Sequence, residues 1–484
     1  MPTQSVDVVI IGAGLSGIGA AYRLQTMCPG KTYTILEGRD SIGGTWDLFR
    51  YPGVRSDSDM YTLGYPFKPW KDPKAIADGP SILSYIKETA EENNIVRNIK
   101  FGHRVTAAEW SSETNSWTLT ATVSGATEPA TITASFLYFC SGYYSYDGGY
   151  TPDFPGRASF EGQVIHPQKW PVELDYAGKR VVIVGSGATA VTLVPAMAET
   201  AAHVTMLQRS PTYITALPSV DAIADKLRKH LPGSVAHRLV RWKNVGLTTL
   251  SYQMSRRRPD KAKEFFLQGI RKHLPEEFNL DPTFSPTYNP WDQRVCLVPD
   301  GDLFTAMKSG KASIVTDTIS SFTPTGISVS SGDELLADII VTATGLTLVP
   351  CGGVALTVDG VKVNAGETFM YKGFMLSGIP NMALCIGYAN ASWTLRADIS
   401  SRNVCKLIKR MDVKGYAAAT PKHPGETHGT VPVLGLNAGY VNRGAAALPK
   451  QGSKAPWVLR HNYILDAASA RFTPLHTHLD FTDR

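Results

Sequence analysis

Continuous apolar runs recur along the chain, and each gives way to glycine and then to helix-compatible sequence. Val8-Val-Ile-Ile11 is such a run, as expected of a parallel strand covered on both faces. Gly12-Ala-Gly14-Leu-Ser16-Gly17 follows it, and Ile18–Gln25 reads as a helix. A second apolar strand, Tyr33–Leu36, ends in Glu37. The order repeats at Lys179–Val184, then Gly185-Ser186-Gly187-Ala188-Thr189-Ala190, then a helical stretch over Val191–Glu199 and a returning strand at His203–Leu207. Further apolar strands close on Cys140-Ser141-Gly142 and on Ala343-Thr344-Gly345. Strands alternating with helices at this spacing predict an α/β protein with parallel sheets.

Strand, G-x-G-x-x-G and helix stand in the order that dinucleotide binding requires. Gly12 allows the tight turn, Gly14 lets a pyrophosphate approach the backbone, and Gly17 lets helix and strand pack closely. The phosphates then sit at a helix N-terminus, where unpaired N–H groups favour anions. Glu37 lies twenty residues after Gly17, where an acid accepts from a ribose hydroxyl. This first unit suits the ADP half of FAD. In the second unit Ala190 takes the third glycine position, which the motif permits. Its returning strand ends in Gln208-Arg209-Ser210 where the first has Glu37. Loss of the acid and gain of an arginine favour a 2′-phosphate, hence NADPH. The two loops imply two dinucleotides, a resident FAD and an exchanging NADPH.

A length of 484 residues predicts two or three domains. The formal charge of +6 gives no reason to expect nucleic acid. Residues 226–272, however, hold thirteen Lys/Arg against Asp260 and Glu264, so the rest of the chain is net acidic. Val235–Val240 and Phe265–Ile270 suggest amphipathic helices there. The plainer reading is a solvated helical subdomain; the sharper one adds weak peripheral contact with anionic membrane. The opening Met1-Pro-Thr-Gln-Ser5 has no signal-peptide pattern, and no run of eighteen apolar residues occurs. The six cysteines are scattered without metal-like spacing, which predicts reduced, mostly buried thiols, no metal site and a cytoplasmic location.

Two longer segments narrow the class. Phe160-x-Gly162-x-x-x-His166-x-x-x-Trp170-Pro171 and Gly44-Thr45-Trp46 through Tyr51-Pro52-Gly53 to Asp57 resemble the two signatures of type I Baeyer–Villiger flavin monooxygenases. Residues 46–62, 185–213 and 288–299 look closest to the ethionamide-activating branch. The resemblance implies an FAD domain (1–148 and 347–484, with the C-terminal tail), an NADP domain (149–212 and 294–346) and a helical subdomain (213–293). It implies a flavin C4a-peroxide that inserts one oxygen atom from O2 into ketones and oxidises organosulfur compounds. Carried over by position, Asp57 and Arg294 are the active-site acid and arginine. Gly12, Gly14, Ser16, Gly17, Glu37, Thr45, Trp46, Asp57 and Val105 would hold FAD. Gly185, Ser186, Gly187, Ala188, Thr189, Arg209, Ser210 and Gln293 would hold NADP.

Phe160, Gly162, His166 and Trp170 belong to the linker. His166 titrates near neutrality when unperturbed, but its place between Phe160 and Pro171 predicts that it holds the linker rather than acts as a base. Gln293 stands where many relatives carry a lysine, which weakens the NADPH reading without reversing it. The segment Gly378–Thr394 resembles a later FAD-facing strand and helix start. Trp457 reads equally as part of a mobile NADP-covering loop or as a surface anchor. The alternative within the same chemistry is an N- or S-oxidising flavin monooxygenase with little Baeyer–Villiger activity. A disulfide reductase would need a redox-active cysteine pair in the sequence, and a flavin-binding sensor would show no turnover.

Overall fold

A computed structural model describes residues 4–425 and 429–484, so the first three residues of the N-terminal reading lie outside it. Among the described residues the chain forms two main sheets. In the larger, Ile99–Lys100, Tyr33–Leu36, Gln4–Ile11 and Ala130–Phe139 lie side by side and parallel. An antiparallel meander through Ser116–Val123 and His103–Ser111 extends it, and Met382–Leu384 returns beside Ala130–Phe139. The smaller sheet is wholly parallel, in the order Ala312–Thr316, His203–Gln208, Arg180–Val184, Ile339–Thr342, Gln163–Ile165. The apolar runs are buried strands: Val8, Val9 and Ile10, like Val181, Val182 and Ile183, are almost fully covered.

The helix Leu15–Met27 packs on the long helix Trp393–Lys414, the two covering one face of the larger sheet. In the smaller sheet the helix after the second glycine loop runs Ala188–Ala198, starting three residues earlier than its apolar pattern indicates. The chain passes between the sheets at two crossings, near residues 142–151 and 343–349. These are zipped together: Ser145 N–H donates to Thr347 O, Val349 N–H to Tyr143 O, and Tyr150 N–H to Gly345 O, at 2.7–3.0 Å.

Residues 222–271 form three helices, Ala222–His230, Gly233–Arg257 and Pro259–Arg271. The long one docks through polar groups. Buried Arg241 donates to the carbonyls of Tyr61 and Gly64 at 2.7 and 2.9 Å, satisfying orphan acceptors at the C-terminus of the short helix Met60–Leu63. Asn244 donates to Asp59, the N-cap of that helix. Both predicted amphipathic stretches are therefore helical. No helix among the described residues is long and apolar enough to cross a membrane. All six cysteines are buried thiols.

Candidate active site

The two glycine loops have the same architecture for the same steric reason. Gly12 (φ +102°) and Gly185 (φ +135°) adopt backbone that L side chains rarely reach. A Cβ on Gly12 would meet Cys140 O at 2.8 Å, and one on Gly185 would meet Ala343 O at 2.4 Å. Each loop thus rests on the end of a crossing strand. Gly17 closes the first turn, since its Cβ would lie 1.9 Å from Gly12 O. Gly187, by contrast, faces open space, which leaves its backbone approachable at the N-terminus of Ala188–Ala198.

The first loop opens into a cavity of about 1630 Å³, lined among others by Gly12, Gly14, Ser16, Glu37, Thr45, Trp46, Asp57, Val105 and Arg294. Gly17 lies behind it. Buried Glu37 accepts from Ala13 N–H at 2.7 Å and Arg39 N–H at 3.0 Å. Burial raises its pKa, and these two N–H groups oppose the rise. Each carboxylate oxygen keeps a further lone pair for a hydroxyl. Ser16 accepts from Trp393 Nε1 at 2.7 Å, which ties the two helix N-termini together at the cavity. The Thr45 hydroxyl pairs with that of Tyr144.

The Gly44–Asp57 segment runs from the first loop to the second. Gly53 (φ +73°) sits against the helix Ala188–Ala198; a Cβ there would meet Ala196 Cβ at 2.7 Å. Beyond it, Asp57 accepts from Arg294 Nη1 at 2.8 Å. Asp57 is not a helix N-cap, because Asp59 fills that role. Burial opposes the charge on Arg294, but Asp57, with Tyr143 and Tyr440, outweighs it and raises the pKa above the ordinary arginine value. The guanidinium stays cationic. Burial pushes Tyr143 up to about 12, so the ring beside Arg294 stays neutral. Tyr143 follows the Gly142 crossing and Tyr440 lies in the short helix Gly439–Gly444; no spacing in the sequence links either to Arg294.

The proposed NADP residues sit mostly outside the cavity. Of them only Ala188 lines it. Gly185, Ser186, Gly187, Thr189, Arg209 and Ser210 do not line it; Ser186 Oγ donates to Ser210 O at 3.1 Å and accepts from Thr212. Arg209 is exposed, and its guanidinium has no partner among the described residues. Gln208 points inward: its Nε2 donates to Thr283 O and Thr316 Oγ1 at 2.8 and 2.9 Å. It is a structural bond and leaves Arg209 as the group at the strand tip. Gln293 is half-buried beside Arg294 and does not line the cavity.

The linker residues have distinct places. His166 Nδ1 accepts from Gln168 N–H at 3.2 Å, so its Nε2–H donates to Gly345 O, 3.2 Å away. Burial lowers its pKa and keeps the ring neutral. The ring lies against Gly149, where a Cβ would come within 2.0 Å. His166 thus touches both crossings. Phe160 is buried edge-on to Phe322, Gly162 abuts Asp338 O, and half-buried Trp170 packs against the core of the smaller sheet. Trp457 is not a surface anchor: it is 1% exposed and edge-on to Tyr371, a core side chain carried by a turn-rich stretch, and it does not line the cavity.

Whether the cavity suits a large polar ligand is answered by its unpartnered groups. Arg294 Nε, Ser141 Oγ, Trp291 Nε1 and Asn390 Oδ1 are buried without a hydrogen-bond partner, and all four residues line this one space. Such groups are costly unless something pairs with them. The donors, the glycine backbone and Glu37 fit a dinucleotide.

A model of flavin-binding monooxygenase-like proteins matches residues 5–222. The FAD-containing monooxygenase EthA of Mycolicibacterium smegmatis is 54% identical over 97% of this chain and 95% of its own. The chain belongs to the flavin-binding monooxygenase family. EthA of Mycobacterium tuberculosis is 53% identical, over 96% of this chain and 95% of its own. AlmA of Acinetobacter baylyi, a probable FAD-binding monooxygenase, is 47% identical over 99% and 96%. Among solved structures, a steroid monooxygenase bound to NADP superposes with a TM-score of 0.78 at 21% identity, covering 99% of this chain and all of the other. An open form of cyclohexanone monooxygenase gives 0.73 at 20%, again over 99% and 100%. The chain therefore shares the mixed α/β fold of these monooxygenases.

Proposed function

We propose that the chain is an FAD- and NADPH-dependent monooxygenase that inserts one oxygen atom into ketones, giving esters or lactones, and oxidises thioethers and thioamides. One observation carries the reading: the Asp57–Arg294 pair stands in the wall of the cavity into which the first glycine loop opens, with Arg294 Nε left without a hydrogen-bond partner. On this reading Gly12, Gly14, Ser16, Gly17, Glu37, Thr45, Trp46, Asp57 and Val105 hold FAD. Residues 185–189, Arg209, Ser210 and Gln293 hold NADP, and the division into FAD, NADP and helical parts follows the boundaries expected above.

When bound, the flavin supplies hydride acceptance and oxygen activation. Arg294 contributes a fixed cation where negative charge develops, which is worth most in a site sheltered from water. Asp57 orients the guanidinium and moderates its charge. Neutral Tyr143 lies near it without adding charge. His166, held neutral, takes no proton and instead ties the two crossings about which the nucleotide parts would move. The balanced reaction consumes NADPH, a proton, O2 and ketone, and yields NADP⁺, water and ester.

A panel of simple ketones and thioethers under ¹⁸O2 tests this reading. One labelled oxygen in an ester is the expected result. Labelled sulfoxide without any ester would instead make the chain an S-oxidising monooxygenase. NADPH consumption that yields only hydrogen peroxide would remove both.

A further inference from the structure

An ordinary surface helix turns its apolar stripe inward and its polar face to water. The helix Gly233–Arg257 departs from this, since it buries Ala236, Val240 and Val245 yet also keeps large apolar side chains on its outer side. Its inner face is anchored by buried Arg241 and Asn244. Outward along it run Val235, Leu239, Trp242, Leu250 and Met254, each 45–57% exposed, spaced at three, four or eight positions and so sharing one side. Ile223 on the preceding helix and Phe265 on the following one are also exposed. Around them Lys226, Lys229, Arg238, Arg257, Arg258 and Lys261 are exposed and have no hydrogen-bond or ion-pair partner among the described residues.

The cavity reaches the same three-helix unit. Leu217, Leu247 and Phe265 line it and are at the same time 49–67% exposed. Its outer mouth is thus an apolar rim set among unpaired cations.

We infer that this face docks on a bilayer bearing anionic headgroups, and that the cavity takes its lipophilic substrate from that surface. The lipid contact stands on the face alone; the substrate route rests on the monooxygenase reading above. Charge decides the occupant. Residues 226–272 carry a net charge of +11, so a second copy of the same face would be repelled. A nucleic acid would pair with the bases and leave the Trp242–Met254 stripe in water. An anionic bilayer accepts both, the bases at the headgroups and the apolar side chains at the acyl boundary.

The test is sedimentation of the FAD-loaded full chain with vesicles of phosphatidylcholine, alone or mixed with phosphatidylglycerol. Each surface base contributes on the order of fivefold to partitioning. The expected result is at least tenfold stronger partitioning into the anionic vesicles, weakened by salt. Arg257→Glu with Lys261→Glu is expected to lower it by about thirtyfold or more, and Leu239→Ser with Leu250→Ser to abolish it. Brominated acyl chains should quench tryptophan emission in the parent protein but less in Trp242→Phe. Equal partitioning into both vesicles, no partitioning, or unchanged binding by the charge variant would overturn the inference. So would a vesicle-independent dimer that Leu239→Ser dissolves. Ketone oxidation in vesicle-free buffer, unchanged in these variants, separates failure here from failure of the monooxygenase reading, which would show as no oxidation by the parent.

Discussion

Replacing Arg209 with glutamine removes a cation from the tip of the strand His203–Gln208 while leaving a side chain of similar reach. Arg209 is exposed and its guanidinium is unpaired, so a 2′-phosphate would meet it without displacing a partner. A hydrogen bond to a charged group contributes about 1.5–3 kcal/mol. Exposure to water and salt places this one near the lower end, about 1.5–2 kcal/mol. That corresponds to roughly 10–30-fold in apparent affinity. Neighbouring Gln208 cannot compensate, because Thr283 O and Thr316 Oγ1 hold its amide. The assay is anaerobic flavin reduction followed by stopped-flow absorbance, with NADPH and NADH, at low and high salt. Arg209→Gln should lower kcat/KM for NADPH by roughly 10–30-fold, leave NADH unchanged and flatten the salt dependence of the NADPH reaction. Equal losses with both nucleotides would show that Arg209 serves the fold and not the 2′-phosphate.

Three further outcomes follow from the geometry. Burial lowers the pKa of His237 to about 4, with Arg241 adding to the effect. Above about pH 6.5 the ring is neutral folded and unfolded; below it the unfolded chain takes a proton that the folded one refuses. Stability should therefore fall by about 1.4 kcal/mol per pH unit, roughly 2 kcal/mol by pH 5. Urea unfolding of parent and His237→Leu checks this, and an identical pH slope in both would contradict it. Trp393→Phe removes the 2.7 Å bond to Ser16 Oγ and should weaken FAD retention about fivefold, at about 1 kcal/mol per bond; unchanged release during dialysis would count against the cradle. Gly149→Ala forces a Cβ into the His166 ring. It should keep FAD yet slow flavin reduction by NADPH, and a normal reduction rate would show that the crossings tolerate displacement.

The alternation of strand, glycine turn and helix was legible because it is local: a handful of adjacent residues determines each turn, and Cys140 and Ala343 lie where the loops need support. The Asp57–Arg294 contact was not legible from spacing. It joins residues 237 positions apart and entered only through resemblance to a family. The inward bonds of Gln208 were not legible because a strand tip gives no sign of where its side chain turns, and Trp457 was misread because a turn-rich, polar stretch hides a core contact with Tyr371. The pattern of residues 235–240 foretold a helix. It could not say that Leu239, Trp242, Leu250 and Met254 face out, since that depends on Arg241 and Asn244 reaching a different segment of chain.

The most direct test of the central claim is Arg294→Ala, purified with FAD, reduced by NADPH without oxygen and then mixed with O2 and a ketone. Loss of a donor aimed at developing negative charge costs about 10²–10³ in rate. The expected result is retained FAD with ester formation reduced by at least that factor. Ester formed at the parent rate would contradict the placement of the reacting centre beside Arg294.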